Sequence, residues 1–159
     1  MSDATSTSIT ARLRTWLDAE GVSYRFVEHE PTRTSEESAA ARGERLEIGA
    51  KALLLKADET FVLMVLSAAR KLDSHAVRKH FGASRLRFAT REELLERTGL
   101  PSGAVPPFGP PIFDLPLYID RSVTSNEKAA FNAGSLTCSI IMPTADYLRL
   151  ARGTFVDVT

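Results

Sequence analysis

A lysine at the start of an apolar run is the first residue of this sequence that could do chemistry. Lys51 precedes Ala52-Leu53-Leu54-Leu55, a run of the size expected for a buried strand. On such a strand Lys51 shares a face with Leu53 and Leu55. Two interpretations stay open. Either the stem packs and the ammonium reaches solvent, or Lys51 lines a pocket and offers a compact positive charge to a phosphate or a developing oxyanion.

A loop rich in glycine and proline is the second candidate: Gly103-Ala104-Val105-Pro106-Pro107-Phe108-Gly109. Its glycines allow the backbone to approach a ligand closely, and its prolines stiffen it. Because proline has no backbone N–H, any amide aimed at a substrate comes from one of the five other residues. Taken alone, such a segment is typical of a surface turn.

A polar interruption between two apolar strands is the third candidate: Phe131-Asn132-Ala133-Gly134-Ser135. Asn followed closely by Gly is a good turn pair, so the segment by itself is typical of a hairpin.

Several common catalytic and metal-binding patterns are missing from the sequence. It has no Gly-rich phosphate loop and no Gly-x-Ser-x-Gly elbow. His75 and His80 are five residues apart, so on a helix they point in different directions and form a poor metal pair. The single cysteine, Cys138, lies in an apolar run and is expected to be a buried thiol. We therefore expect a pocket without a catalytic triad, a metal ion or a cofactor.

The composition indicates one compact domain. The chain has 159 residues, of which 43% are hydrophobic, enough for a single core. No apolar run approaches the roughly 18 residues of a membrane span, so no membrane association is expected. Residues 1–8 are polar and lack the features of a secretory signal, which predicts a flexible tail followed by one domain over 9–159. A lone cysteine fits a reducing compartment, so we expect a cytoplasmic protein.

Hydrophobic periodicity and capping residues predict an α+β fold, with a mixed, mostly antiparallel, curved and barrel-like sheet flanked by short helices. A first helix ends at Gly21, and others run from Thr34 to Gly43, Asp73 to Phe81 and Thr90 to Gly99, with a last one opened by Pro143. The predicted strands are Ser23–His29, Ala50–Ala57, Thr60–Ala68, Arg85–Phe88, Leu115–Asp120, Lys128–Asn132, Leu136–Met142 and Phe155–Val158.

Charge is balanced overall but not along the chain. Twenty Lys+Arg match twenty Asp+Glu, so bulk charge predicts neither nucleic acid nor membrane as a partner. Between Arg70 and Arg91, however, seven basic residues face one acid, which leaves the remainder acidic by six charges. The segment is either a solvated helix face or the footprint of a phosphate contact. Its members of interest are Arg70, Lys71, Arg78, Lys79 and Arg85.

The order and spacing of these segments resemble the YbaK/proline-tRNA-synthetase-associated editing family over nearly the whole chain. The resemblance rests on seven short motifs in one order, each weak alone. They are Thr34-Ser35-Glu36-Glu37-Ser38-Ala39-Ala40, Lys51-Ala52-Leu53-Leu54-Leu55, Arg70-Lys71-Leu72-Asp73, Phe88-Ala89-Thr90-Arg91-Glu92-Glu93-Leu94 with Thr98-Gly99, Gly103 to Gly109, Leu115-Pro116-Leu117-Tyr118-Ile119-Asp120, and Asn132-Ala133-Gly134.

The resemblance implies a trans-acting aminoacyl-tRNA deacylase that hydrolyses the ester of a mischarged small amino acid, most naturally on prolyl-type tRNA. It implies that Lys51 and Gly103 are the catalytic residues and that the ribose hydroxyl beside the ester assists the reaction. The implied substrate-binding residues are Ala104, Val105, Pro106, Pro107, Asn132, Ala133 and Gly134. Mischarged tRNA, and an aminoacyl-tRNA synthetase, are the implied partners; DNA is not.

The sequence leaves the amino acid and the tRNA open. Branches of the family that remove cysteine carry a small hydroxyl residue where Ala52 stands, and branches that remove alanine carry a histidine where Gly134 stands. Two other functions also stay open. The same fold could serve as a non-catalytic module that binds a small ligand or a synthetase, and the basic stripe could belong to a general nucleic-acid binder.

Overall fold

The computed structural model describes residues 8–159 of the chain. The predicted polar tail, residues 1–8, therefore lies outside the described residues except for Ser8. Ser8 is the N-cap of the first helix, where its hydroxyl oxygen accepts a hydrogen bond from the Ala11 amide at 3.0 Å.

Short helices and strands alternate along the described part of the chain. The helices are α1 (Ile9–Ala19), α2 (Ser35–Arg42), α3 (Ser74–Phe81), α4 (Arg91–Thr98), α5 (Arg121–Thr124) and α6 (Thr144–Ala151), with a 3₁₀ turn over Leu46–Ile48. The strands are β1 (Arg25–Glu28), β2 (Ala50–Ala57), β3 (Thr60–Ser67), β4 (Leu86–Phe88), β5 (Leu117–Asp120), β6 (Lys128–Asn132), β7 (Cys138–Pro143) and β8 (Thr154–Val156).

The strands form two sheets. One is antiparallel in the order β1-β7-β6, and the other is mixed in the order β4-β2-β3-β5-β8. An isolated parallel bridge between Gly49 and Ala130 joins them. The prediction of a single mixed α+β domain is confirmed, and within residues 8–159 the two sheets meet at this bridge without closing into a barrel.

Helix ends follow the capping residues that the sequence displays. Thr34, Asp73 and Thr90 each accept a hydrogen bond from an amide of the first helical turn. Thr90 and Glu93 form a reciprocal capping box. These caps satisfy amides that have no partner inside the helix, and so they fix where α2, α3 and α4 begin.

The larger sheet is buried on both faces. On β3, Leu63 and Val65 join the main core beside α1 and the 104–115 loop. The alternate residues Val62, Met64 and Leu66 join a second core that includes Val77 of α3. Because successive strand residues point to opposite faces, burial on both sides explains why β3 is an almost continuous apolar run.

Several boundaries differ from those predicted, because side chains and turns take over backbone hydrogen bonds. At the C-terminus the strand ends at Val156, since the Val158 amide donates instead to the Asp120 carboxylate at 2.7 Å. The strand predicted from Leu136 begins at Cys138, because the hairpin turn extends through Thr137, whose amide donates to the Ser135 hydroxyl oxygen. The four-residue helix α5 and the 3₁₀ turn were not predicted.

None of the helices in the described residues is both long and apolar enough to cross a membrane.

Candidate active site

The first half of β2 has an open edge. Strand β4 pairs only with Leu55–Ala57, and the Ala89 amide then donates to the Leu54 carbonyl oxygen. Beyond that point no described strand continues the sheet along residues 50–53. Side chains from both faces of this stretch therefore border the same space, which is why four consecutive residues of β2 line a cavity.

That cavity has a volume of about 390 Å³, within the range typical of small-molecule sites. Its walls come from the start of α2, the open edge of β2, the Gly103 loop and the end of β6. The lining residues are Thr32, Arg33, Thr34, Ser35, Ser38, Arg42, Gly49, Ala50, Lys51, Ala52, Leu53, Ala68, Ser102, Gly103, Val105, Ala130, Phe131, Asn132 and Leu136. They include three cations, and none of these described residues is Asp or Glu.

Lys51 lies on the cavity wall, half-buried, one residue inside β2. The ion pairs of residues 8–159 do not include it. The second lysine of the strand, Lys56, approaches Glu59 at 3.9 Å and lies outside the cavity. Because no described carboxylate pairs with Lys51, its positive charge is free to interact with a ligand in the cavity.

Gly103 also lines the cavity, and its loop is hydrogen-bonded to the β6–β7 hairpin. Its φ of +88° is a left-handed conformation that favours glycine. The Asn132 side-chain amide donates to the Gly103 carbonyl oxygen at 2.7 Å, and the Gly134 amide donates to the Ala104 carbonyl oxygen at 2.9 Å. Two consecutive carbonyl groups of the loop are therefore held in place.

Two residues of this loop that line the cavity have amides without a hydrogen-bond acceptor among the described residues. The Ala104 and Phe108 amides donate to the carbonyl oxygens of Pro101 and Pro106, at 3.2 and 2.9 Å. The Gly103 and Val105 amides have no acceptor among the described residues, and both residues line the cavity. Val105 is only 6% exposed. Because buried amides are almost always hydrogen-bonded, we expect the Val105 amide to donate to a bound ligand or to water.

Five other predicted substrate-binding residues belong to the segments that form the cavity but contact other parts of the protein. The side chain of Ala104 is fully buried, Pro106 and Pro107 are buried, and the Pro107 carbonyl oxygen accepts from the Tyr147 hydroxyl at 2.7 Å. Ala133 is buried, and its carbonyl oxygen accepts from the Thr10 hydroxyl at 2.6 Å. Gly134 packs against α1: a Cβ added there would lie 2.9 Å from the Thr10 hydroxyl oxygen. None of these five residues lines the cavity.

A buried arginine, which the sequence did not single out, also lines the cavity. Arg42, the last residue of α2, is only 8% exposed. Its Nε donates to the Ser139 hydroxyl at 3.0 Å and its Nη2 donates to the Asn132 side-chain oxygen at 3.2 Å. Burial lowers the pKa of Arg42 to about 10, so the guanidinium is still charged at neutral pH.

The five basic residues singled out between Arg70 and Arg91 lie outside the cavity, on and around α3. Arg70, Lys71, Arg78, Lys79 and Arg85 are all exposed. None takes part in an ion pair among residues 8–159, whereas the neighbouring Arg87 is held by Glu93 at 2.7 Å. Five exposed cations without carboxylate partners form the kind of basic surface that binds a polyanion such as a nucleic acid.

Comparison with known proteins shows what this architecture is. Residues 29–150 match the family described as the aminoacyl-tRNA editing domain. The chain belongs to that family. The match contains every cavity-lining residue, from Thr32 to Leu136, and so the resemblance seen in the sequence is confirmed.

Two of the individual relatives match nearly the whole chain, and a third matches about two thirds of it. The Multifunctional Ser/Thr-tRNA deacylase ProXp-y of Escherichia coli (strain K12) is 37% identical over 166 residues, which cover 99% of this chain and 97% of that protein. A proline–tRNA ligase of Shouchella clausii is 31% identical over 101 residues, which cover 64% of this chain but 18% of the ligase. A crystal structure of a proposed trans-editing enzyme for prolyl tRNA synthetase superposes with a TM-score of 0.83 at 25% identity, covering 97% of this chain and 98% of that one.

The prediction of an aminoacyl-tRNA hydrolase, an enzyme that cleaves a carboxylic ester, is therefore confirmed at the level of the family. The described residues bring together a lysine, two amides without an acceptor and a buried arginine around one cavity.

Proposed function

We propose that this protein is a trans-acting deacylase that removes a mischarged small amino acid from tRNA, with the ester bound in the cavity between Lys51 and the Gly103–Pro107 loop. The observation that carries the proposal is the shared cavity: Lys51, Gly103 and Val105 line it together, and its lining contains no carboxylate. An ester carbonyl that becomes negatively charged during attack is the kind of group such a site stabilises.

The proposed reaction is a simple hydrolysis. Water attacks the ester carbonyl carbon, the bond from that carbon to the ribose oxygen breaks, and a proton passes from the water to the ribose oxygen. The neighbouring ribose hydroxyl orients the water and relays the proton. The Gly103 and Val105 amides, which have no acceptor among the described residues, donate to the oxyanion, and the Lys51 ammonium stabilises its charge.

Each oxyanion donor in such a site is worth about 10²–10³ in rate. Lys51 needs no role as a base, because an ammonium is the state that stabilises negative charge. The protein in this proposal supplies position and charge, and the substrate supplies the hydroxyl that a catalytic triad would otherwise provide.

We propose serine or threonine as the amino acid. A relative that matches along 99% of the chain is named for Ser/Thr-tRNA, and the cavity wall is rich in hydroxyl groups, including those of Thr32 and Ser38, which lie 2.8 Å apart. A polar wall suits a hydroxylated side chain better than a purely apolar one. Prolyl-type tRNA and docking onto a synthetase stay predictions.

The test is a deacylation panel with a common set of tRNAs charged with serine, threonine, alanine or cysteine. We expect seryl or threonyl esters to be hydrolysed fastest. If the folded protein cleaves no ester but binds a non-hydrolysable aminoacyl analogue, the alternative of a non-catalytic binding module replaces this proposal.

The Lys51→Met variant tests the placement of the site. We expect kcat/KM to fall by about 10²–10³, with Lys51→Arg retaining part of the activity. Lys56→Met is the matched control, since it removes a lysine from the same strand outside the cavity. Equal activity in Lys51→Met and wild type would exclude this cavity as the catalytic site.

A further inference from the structure

The guanidinium of Arg42 has more hydrogen-bond donors than the protein uses. Arginine carries five N–H donors. Nε donates to Ser139 and Nη2 donates once to Asn132, which leaves three N–H groups without an acceptor among the described residues. The unpartnered Nη1 is not enclosed, because among residues 8–159 the fully buried side-chain polar atom without a partner is Thr144 Oγ1. Since Arg42 lines the cavity, its free N–H groups are open to a ligand there.

The charge of Arg42 has no carboxylate in direct contact. Glu44, the acid nearest in sequence, acts on Arg42 only at longer range. Burial lowers the Arg42 pKa, and the charge of Glu44 raises it by a smaller amount. The Glu44 carboxylate contacts Arg25 at 2.8 Å and Lys128 at 3.3 Å. Arg42 forms no ion pair with any described carboxylate. A buried cation with no carboxylate partner attracts an oxygen-rich group of a ligand.

The position of the guanidinium is closely defined. Two of its partners come from the β6–β7 sheet, and Gly49 leaves space beside Nη1: a Cβ added to Gly49 would lie 3.6 Å from that nitrogen. The Asn132 amide that accepts from Arg42 also donates to the Gly103 carbonyl oxygen. Arg42 is therefore connected by one side chain to the loop proposed to hold the ester.

The three cations of the cavity differ in their exposure to solvent. Arg33 is exposed, Lys51 is half-buried and Arg42 is buried. If the ester carbonyl lies at Lys51, the ribose and phosphates extend outward past Arg33, and only the amino-acid side chain reaches inward. The group that meets Arg42 is then part of the amino acid.

We propose that Arg42 is a specificity-determining residue, whose free N–H groups donate to the side-chain oxygen of a hydroxylated amino acid esterified to the tRNA. This inference rests on the proposed function and adds the group that reads the substrate. A site built to hydrogen-bond a hydroxyl rejects an analogue that lacks it far more strongly than an apolar pocket rejects an extra methylene. Arg42 would thus favour serine over alanine although the two side chains differ by one oxygen atom.

A double-mutant cycle between enzyme and substrate tests the inference. Wild type and Arg42→Lys are assayed on one tRNA body charged with either serine or alanine. Losing a hydrogen bond to a charged donor corresponds to about a 10- to 100-fold effect. We expect Arg42→Lys to lower kcat/KM for the seryl ester by that factor and to change the alanyl ester less than about threefold. Arg149→Lys, on the surface of α6, is the control and should leave both rates unchanged.

Equal losses on the seryl and alanyl esters would overturn the inference, because a merely structural arginine affects both substrates alike. Wild type that cleaves neither ester would instead count against the proposed function itself. If Arg42→Lys does not fold, Arg42→Gln is assayed in its place, since it also removes the free N–H groups of the guanidinium while leaving Ser139 and its hydrogen bond to Asn132 intact. A selective loss on the seryl ester then supports the inference, and no loss or an unselective one overturns it.

Discussion

The Asn132 side chain and the Gly103 carbonyl oxygen are joined by a 2.7 Å hydrogen bond that fastens the glycine–proline loop to strand β6. The same amide group accepts from Arg42 and from the Ser139 hydroxyl through its oxygen. Its orientation is thereby determined, with the oxygen toward the donors and the nitrogen toward the loop. One side chain thus connects the buried cation to the backbone proposed to bind the oxyanion.

Replacing Asn132 by aspartate should misplace the loop. A carboxylate cannot donate to the Gly103 carbonyl oxygen and would repel it, while it could still accept from Arg42. We expect kcat of the Asn132→Asp variant to fall by about 10- to 100-fold, because a displaced loop aligns its amides poorly with the oxyanion. Steady-state deacylation kinetics measure the effect. The control is Ser135→Ala, which lies in the hairpin turn but outside the cavity and should keep wild-type kcat. If both variants had the same kcat, Asn132 would not be what positions the loop.

Local signals made much of the fold predictable. The caps at Thr34, Asp73 and Thr90 place three helices correctly, and the short turn after Ala57 places the β2–β3 hairpin. These features depend on residues close together in sequence, so the pattern alone is sufficient to recognise them. The pairing of strands into two sheets depends on contacts between distant segments, and no local pattern indicated it.

The site was predictable in part, for the same reason. Lys51 stands out because it is a charge at the start of an apolar strand. Arg42 does not, because a basic residue at the end of a helix is an ordinary surface pattern. Its hydrogen-bond partners Ser139 and Asn132 lie roughly ninety residues further along the chain and meet it only in the fold. A signal for Arg42 would have required knowledge of that contact.

The exposed cations around α3 should contribute to tRNA affinity and not to chemistry. We expect the variant in which Arg78, Lys79 and Arg85 are all alanine to bind tRNA more weakly. The logarithm of its association constant should also fall less steeply with the logarithm of the salt concentration, by about 2–3 in the slope. Cleavage of a minimal aminoacyl-adenosine fragment should be unchanged, since none of the three lines the cavity. Filter binding over a series of salt concentrations measures the first effect, and fragment kinetics measure the second. An equal loss of activity on tRNA and on the fragment would show that these cations do not act on tRNA binding alone.

Glu93 should make the stability of the protein depend on pH in the acid range. Hydrogen bonds from Arg87, and then from the Thr90 amide, lower the pKa of Glu93 from 4.5 to about 2. Because the folded-state pKa lies below the unfolded one, this contribution is complete above pH 4.5 and is lost as the pH falls toward 2. We expect the free energy of unfolding of Glu93→Gln to vary less with pH across this window than that of wild type. Urea titrations at several pH values test this, with Glu92→Gln as control; parallel curves for wild type and Glu93→Gln would contradict it.

Gly49 lies where the 3₁₀ turn, β2 and the end of β3 approach most closely. Its amide donates to Leu46 and its carbonyl oxygen accepts from Ala68 at 2.7 Å. An added Cβ would lie 2.8 Å from the Ala68 Cβ and 3.2 Å from the Leu46 carbonyl oxygen. Gly49→Ala should therefore lower the free energy of unfolding by about 1–3 kcal/mol through overpacking.

The second substitution Ala68→Gly tests the cause, because it removes the nearest atom and leaves the rest of the junction unchanged. We expect the double variant to recover more than half of the lost stability in urea unfolding. Full recovery is not expected, since the Leu46 carbonyl oxygen still crowds the new methyl group. If Gly49→Ala were as stable as wild type, or if Ala68→Gly only added to its loss, the close approach would not be what requires glycine at position 49.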